Sequence, residues 1–285
     1  MTDLDHRAGR PNDADFRRGT DVGGAGRNPG SRAARAVWIT LGGILAIAAL
    51  CWGTYNVISI LAHEEYTARS TFASSDVAAL AVANDSGSVT VTATPGDTVT
   101  VVAEVSDGWR STDVSTELVD GVLELRSNCP VVVSLWCDVD FTVAIPADRS
   151  VSVDGSGAVR VRGMTAAIDI DSDDGRIELD DVSGDITVSN DDGRIVGRRL
   201  RAPTVDARNH NGSIQLSFLD PPRSVAARTS NGSIVVVVPD AEVLYRVEMS
   251  TSHGGTDNLV RTDPDSDRVI DLSTRNGSIT VRPPG

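Results

Sequence analysis

Lysine is absent from this 285-residue sequence, in which all 26 basic residues are arginine. Arginine codons are GC-rich and lysine codons AT-rich, so the bias reflects base composition and carries no functional signal. Aromatic residues make up only 4%. That excludes a core built on large rings and leaves Val, Ile, Leu and Ala to fill it, a composition suited to thin, repetitive β-structure. The four histidines, His6, His63, His210 and His253, are scattered along the chain and do not form the converging ionisable set that an active site needs. No Gly-x-Ser-x-Gly elbow, Walker loop or dinucleotide fingerprint occurs. The sequence therefore predicts no catalytic residues and no cofactor.

Basic charge is also short. The formal net charge is −14, yet residues 1–35 carry seven Arg against five Asp, so the acidity belongs to the rest of the chain. An acidic domain repels nucleic acid and anionic surfaces, and no nucleic-acid partner is expected.

From Ala36 to Ala62 no residue is charged. Roughly 20 helical residues cross the ~30 Å hydrocarbon core of a bilayer. The run is longer and starts later than a signal-peptide core, and Leu61-Ala62-His63-Glu64-Glu65 offers no convincing cleavage site. The sequence thus predicts an uncleaved transmembrane helix over 36–62. Arg27, Arg32 and Arg35 precede it, whereas His63, Glu64 and Glu65 follow it, which places the N-terminus in the cytoplasm and the bulk outside. Trp38, Trp52 and Tyr55 suit the membrane interfaces. Residues 1–35 are rich in Gly, Arg, Asp, Asn and Pro and are expected to be a disordered cytoplasmic tail.

Beyond the span a repeat emerges: a polar pair, a Gly, any residue, then Val or Ile. It occurs at Asp85-Ser86-Gly87-Ser88-Val89, Gly155-Ser156-Gly157-Ala158-Val159, Asp173-Asp174-Gly175-Arg176-Ile177 and Asp191-Asp192-Gly193-Arg194-Ile195. It recurs at His210-Asn211-Gly212-Ser213-Ile214, Ser230-Asn231-Gly232-Ser233-Ile234 and Arg275-Asn276-Gly277-Ser278-Ile279. From Gly157 to Gly232 the glycines are 18, 18, 19 and 20 residues apart. Nine and seven residues before the aliphatic lies another apolar pair, such as Ile168 and Ile170 before Ile177; the Val159 turn alone is off by one. Pairs spaced by two face one side of a strand, and Asp-Asp-Gly or Asn-Gly makes the tight corner between two strands. One such unit cannot bury its apolar face alone, so copies must stack.

The expected fold class is an all-β ectodomain, a repetitive β-solenoid resembling a parallel β-helix, with coils of about 18–20 residues. The rival is a meander of antiparallel Asn-Gly hairpins. Ile177, Ile195, Ile214, Ile234 and Ile279 should form one buried ladder, and Ile168, Ile186, Val205, Val225 and Ile270 a second. Arg176, Arg194, Ser213, Ser233 and Ser278 should face solvent. A linker is expected over 63–78 and the β-repeat domain over 79–285, with 99–146 as an irregular, cap-like segment holding Trp109, Trp136 and Phe141. The coil at 240–265 is degenerate too.

Cys129 and Cys137 fall in that segment. Two cysteines in an exported domain most often form a disulfide; free thiols or a metal site are the alternatives, the latter short of ligands. Asp171, Asp173, Asp174, Asp191 and Asp192 are a weak calcium candidate, because the EF-hand positions for Gly and Glu are not met. Solvated corner residues are the simpler reading. Arg176 and Arg194 are placed to relieve repulsion between stacked Asp-Asp corners. Asn211-Gly212-Ser213 matches a glycosylation sequon but reads better as a corner.

The membrane helix, the Asp/Asn-Gly-x-Ile repeats and the stretch Cys129-Pro130 … Cys137-Asp138-Val139-Asp140-Phe141-Thr142-Val143-Ala144-Ile145-Pro146 together resemble a known family. It is the bacterial membrane-anchored β-strand-repeat family whose members are described as candidate adhesins of unknown function. The resemblance covers roughly residues 70–285. It implies a surface-displayed β-repeat domain linked to adhesion or envelope stress, with no catalytic residues carried over. Topology, repeats and the absence of a site make a non-enzymatic module that binds a ligand or partner outside the cell, adhesin-like or accessory to envelope sensing, the leading reading. A polysaccharide-acting β-helix enzyme and a structural envelope protein are the alternatives.

Overall fold

The structure, a computed structural model, describes residues 38, 41–54, 64–107, 113–129, 137–239 and 242–285. The chain divides into two compact units, Met1–Tyr55 and Asn56–Gly285. In the first unit residues 41–54 form a helix whose side chains are all exposed, as are those of Trp38 and Trp52. Among the described residues no helix is long and apolar enough to cross a membrane. The rest of the 36–62 span, including Tyr55, lies outside the described residues, as does the tail 1–35.

Among its described residues, strands are the regular elements of the second unit. Its N-terminal part contains β1 (Glu64–Ala73), β2 (Ala79–Asn84), β3 (Val89–Ala93), β4 (Thr98–Asp107), β5 (Asp113–Val119), β6 (Val122–Asn128) and β7 (Cys137–Ile145). The middle contains β8 (Ser150–Gly155), β9 (Val159–Arg162), β10 (Ile168–Asp180), β11 (Ile186–Leu200), β12 (Thr204–Asn211), β13 (Ile214–Phe218), β14 (Ser224–Asn231) and β15 (Ile234–Val237). The C-terminal part contains β16 (Arg246–His253), β17 (Thr256–Asn258), β18 (Val269–Asn276) and β19 (Ile279–Arg282).

Each repeat runs along a first sheet, turns at its glycine corner and runs along a second, and because β10 and β11 pass through the corner unbroken the two are continuous as one sheet. Between β8 and β15 every repeat pairs in parallel with the next. The fixed offset of nine residues therefore becomes a stacking register. Ile177, Ile195, Ile214, Ile234 and Ile279 are cross-strand neighbours in that order, as are Ile168, Ile186, Val205, Val225 and Ile270. All ten are buried. The two ladders face each other as a thin aliphatic core, and the sheet is not closed.

The off-by-one turn has a local explanation. Gly155 pairs with Asn84 on one side and Ser172 on the other, and Val159 pairs with Ile177. This corner is one residue shorter than its neighbour, and a glycine stands where the others place a polar side chain.

The ends depart from a simple winding. The coil β2–β3 lies between β6–β7 and β8–β9, not beside its sequence successor. At the other end β18–β19 slots between β14–β15 and β16–β17. Within 99–146, β4 pairs antiparallel with β7 and β5 with β6, and β1, which precedes that segment, pairs antiparallel with β4. The expected linker 63–78 is corrected in part, since residues 64–73 form β1, paired with β4 from Glu64↔Asp107 to Ala73↔Thr98. Its alternation of Tyr66, Ala68, Ser70 and Phe72 with the polar Glu65, Thr67, Arg69 and Thr71 belongs to an edge strand. The degenerate coil forms the other end, where Tyr245 is buried and bridges to Thr262.

Candidate binding surfaces

The corners are built on close approach. A Cβ on Gly212 would meet the Gly193 carbonyl oxygen at 1.5 Å, and φ there is +141°. Corner glycines on successive rungs thus touch backbone to backbone. Three residues before each, except at the shortened Gly157 corner, stands a short polar side chain: Asn84, Ser172, Asn190, Asn209, Thr229, Thr251 or Thr274. Those on β10–β19 donate to the neighbouring corner's glycine carbonyl, as in Asn209 Nδ2 to Gly193 O at 2.9 Å and Thr229 Oγ1 to Gly212 O at 3.1 Å. This inner polar ladder satisfies backbone acceptors that the tight corners would otherwise bury unpaired. Sequence reasoning missed it, although the constant spacing of three residues before each glycine was a usable signal.

Outside the corner runs a second ladder: Asp174, Asp192, Asn211, Asn231, Asn276, His253. Its asparagines bond to each other at 2.8 Å. Asp171, Asp173, Asp174, Asp191 and Asp192 are all exposed. Among the described residues no three His, Cys, Asp or Glu side chains form a group that could hold a metal ion. Arg176 does not reach the Asp-Asp corner; its Nε lies 3.2 Å from Glu178. His210 and His253 are exposed at their corners; His6 and His63 lie outside the described residues. Of the outward ladder, Arg176, Arg194 and Ser278 are exposed, whereas the Ser213 hydroxyl is covered and unpartnered.

Cys129 and Cys137 are joined, with Cα atoms 5.9 Å apart. Ser127 pairs with Asn84 and Phe141 with Val89, so the disulfide closes an enlarged corner of the outermost N-terminal coil. Phe141 is buried there, whereas Trp109 and Trp136 lie outside the described residues. Beside the bridge the Asp138 carboxyl, exposed overall, is raised above its ordinary value by partial burial; Asp140 pushes the same way and a hydrogen bond from Ser86 opposes both.

The two outward faces differ in charge. On the first sheet Asp154, Asp169, Asp171 and Asp191 point out, while the outward Arg126, Arg208 and Arg228 are each paired with a carboxylate of that sheet. On the second, β9–β11 point out Arg160, Arg162, Arg176, Arg194 and Arg198, with Glu178 and Asp180 among them. Next to this arginine field lies an open groove of about 760 Å³. Val196, Val235 and Val237 supply its apolar surface, Gln215, Ser217 and Thr280 its neutral polar groups, and Arg198, Arg199 and Arg282 its charge. Pro284 and Gly285 run along it, and no Asp or Glu side chain lines it. The arginine pair sits on a bulge: β11 and β13 pair at Gly197↔Leu216 and next at Leu200↔Phe218, with Arg199 at φ +50°.

The sequence profile of the Toastrack DUF4097 family, a family of unknown function, matches residues 70–282. The chain belongs to that family. The Toastrack match spans both ends of the stack as well as its regular middle. Solved structures similar to it include a candidate adhesin from Bacteroides fragilis, 12% identical, covering 76% of this chain and 97% of that one with a TM-score of 0.49. A candidate cell adhesion protein from Clostridium sporogenes is 11% identical, covering 78% and 100% with a TM-score of 0.38. A candidate adhesin from Parabacteroides merdae is 10% identical, covering 76% and 96% with a TM-score of 0.37. No curated protein matches the chain.

Proposed function

We infer that this Toastrack protein is a non-enzymatic binding module, anchored by residues 36–62 and displayed outside the cell, adhesin-like or serving envelope sensing. The observation that carries the reading is the use of the buried residues. They are almost wholly aliphatic ladders, and the buried polar ones on β10, β11, β12, β14 and β18 hold corner carbonyls. What varies from rung to rung is the outward side. A scaffold of that kind commits its buried side chains to packing and leaves its outward side as the surface available for binding. The apolar run 36–62 and its arginine-rich N-terminal flank support the anchor and its direction. The polysaccharide-enzyme alternative wants paired carboxylates in a groove, and the groove beside the second sheet carries arginines instead.

Two experiments on the full chain in its native membrane test this. Protease added to intact spheroplasts should digest the β-domain and spare the tail; protection of the β-domain would overturn the topology. Cross-linking and pull-down from intact envelopes, with and without residues 1–35, should recover a partner through the β-domain in both cases. Recovery of none would favour the structural role.

A further inference from the structure

The stack is regular where it only has to pack, so a place where the repeat is broken on an outward face calls for a cause. Such a break occurs where β11 meets β13. Gly197 pairs with Leu216 and the next pair is Leu200 with Phe218, so Arg198 and Arg199 bulge out of the ladder. Arg199 sits at φ +50°, a conformation that costs a non-glycine residue free energy. Bulges of this kind re-aim side chains and are common beside functional sites.

The bulge rims the groove, and its volume of about 760 Å³ lies in the ordinary range of ligand sites. The charge there is opposite to that of the molecule. The chain carries −14, yet the groove holds three guanidinium groups and no acidic side chain. They are incompletely neutralised from outside. Arg199 pairs with Asp180 at 2.6 Å, and Arg198 only approaches Glu178, at 3.9 Å. Glu178 is shared with Arg160 and Arg176. Arg282 has no ion pair among the described residues, its guanidinium donating to the Pro283 carbonyl at 3.2 Å. Guanidinium groups match the planar geometry of carboxylate and phosphate oxygens. Between them lie amide and hydroxyl groups, Gln215, Ser217 and Thr280, over an apolar floor of Val196, Val235 and Val237. This is a lining for a chain that alternates negative charge with hydroxyl groups and nonpolar ring or backbone surface.

We propose that this groove binds a strand of an anionic glycopolymer, its carboxylate or phosphate groups held by Arg198, Arg199 and Arg282 and its hydroxyls by Gln215, Ser217 and Thr280. The proposal rests on the binding-module reading and names the ligand class of that module. The acidic face of the first sheet then orients the molecule, repelling the same polymer from the other side.

The test uses the full chain in neutral detergent micelles, titrated by calorimetry with oligogalacturonate, with poly(glycerol phosphate), with neutral dextran and with single-stranded DNA. Saturable, salt-sensitive binding of one or both anionic glycopolymers is expected, with dextran inert. Preference between the first two tells carboxylate from phosphate. The double variant Arg198→Glu/Arg199→Glu should weaken binding at least tenfold. Because it also breaks the contacts with Glu178 and Asp180, Arg282→Gln, which breaks no ion pair, is measured in parallel and should weaken binding severalfold. Arg126→Glu, on the first sheet, should not. The proposal is overturned if neither glycopolymer binds, if DNA binds as tightly, or if both groove variants retain full affinity. A partner recovered from envelopes undiminished by Arg282→Gln would leave the module reading standing while the groove fails. Glycopolymer binding in a chain whose β-domain is protected in spheroplasts would do the reverse.

Discussion

Between β8 and β15 each coil of the stack lies beside the coil that follows it in sequence, and one residue pattern serves every rung. At both ends the chain instead skips a place, and the pattern gives way to extra antiparallel strands, a disulfide and a buried tyrosine. The contrast shows two solutions to one problem. A middle coil has neighbours on both sides to satisfy its backbone and cover its isoleucines. A terminal coil has one neighbour, and an open ladder of N–H and C=O groups invites association. The N-terminal end answers with β1, β4 and β5, which cover β7 and β6. The C-terminal end answers by turning its last-but-one coil outward and packing Tyr245 under it.

If backbone contact governs the middle, the largest effects should come from its glycines. Gly212→Ala puts a Cβ 1.5 Å from a carbonyl oxygen at φ +141°, and a loss of about 4 kcal/mol or failure to fold is expected in chemical denaturation. Gly255→Ala, at the end, meets nothing within 4 Å and should stay within about 0.5 kcal/mol. Equal effects would break the distinction. Ile214→Ala, in the middle of its ladder, should cost about 2–5 kcal/mol, whereas Ser213→Ala removes only an unpartnered hydroxyl and should change stability by less than about 0.5 kcal/mol.

Replacing both Cys129 and Cys137 by Ser opens the enlarged corner and should cost roughly 2–3 kcal/mol. Hydrogen exchange should rise in β6 and β7 before it rises in β12–β15; uniform acceleration would mean that the end is not a separate unit.

The smallest expected effect is pH-linked. The folded state holds the Asp138 proton more tightly than the unfolded chain does, because burial and Asp140 outweigh the Ser86 hydrogen bond. The stability it contributes is therefore full below the ordinary aspartate value of 3.8 and is lost as pH rises through the raised value. Asp138→Asn should raise the melting temperature at neutral pH and match the parent below 3.8. A gain of equal size at both pH values would point to a cause other than ionisation.

Much of the middle was legible in the sequence because its information is local and repeated. The offset between Ile168 and Ile177, seen again at Ile186 and Ile195, by itself dictates which side chains stack on which. The pairing of Cys129 with Cys137 followed from compartment and cysteine number. Other features were hidden for physical reasons. That β2 borders β8 depends on contacts between residues some seventy positions apart, as in Leu80↔Val151, and no local pattern encodes it. β1 resembles a linker in sequence because its alternation is diluted by Thr, Ser and Ala. The basic groove was masked by arithmetic: a net charge of −14 sums over two faces that differ in sign. Arg176 illustrates the same limit. It stands next to the Asp-Asp corner in sequence, but the strand carries its side chain to Glu178.

The slot taken by β18–β19 also sets the order in which the protein can assemble. Among the described residues β16 and β17 have no ladder partner except β18 and β19. Residues 246–258 therefore leave a ribosome or a translocon before the surface they dock on exists. They must wait, unpaired, until residues 269–282 have crossed behind them and zipped onto β14 and β15. From β8 to β15 the stack can grow coil by coil, but beyond β15 it closes with two coils at once. Until that closure the edges of β14 and β15 stay open to association. Truncations within the last coil should therefore act on the yield of folded protein well beyond the contacts they delete.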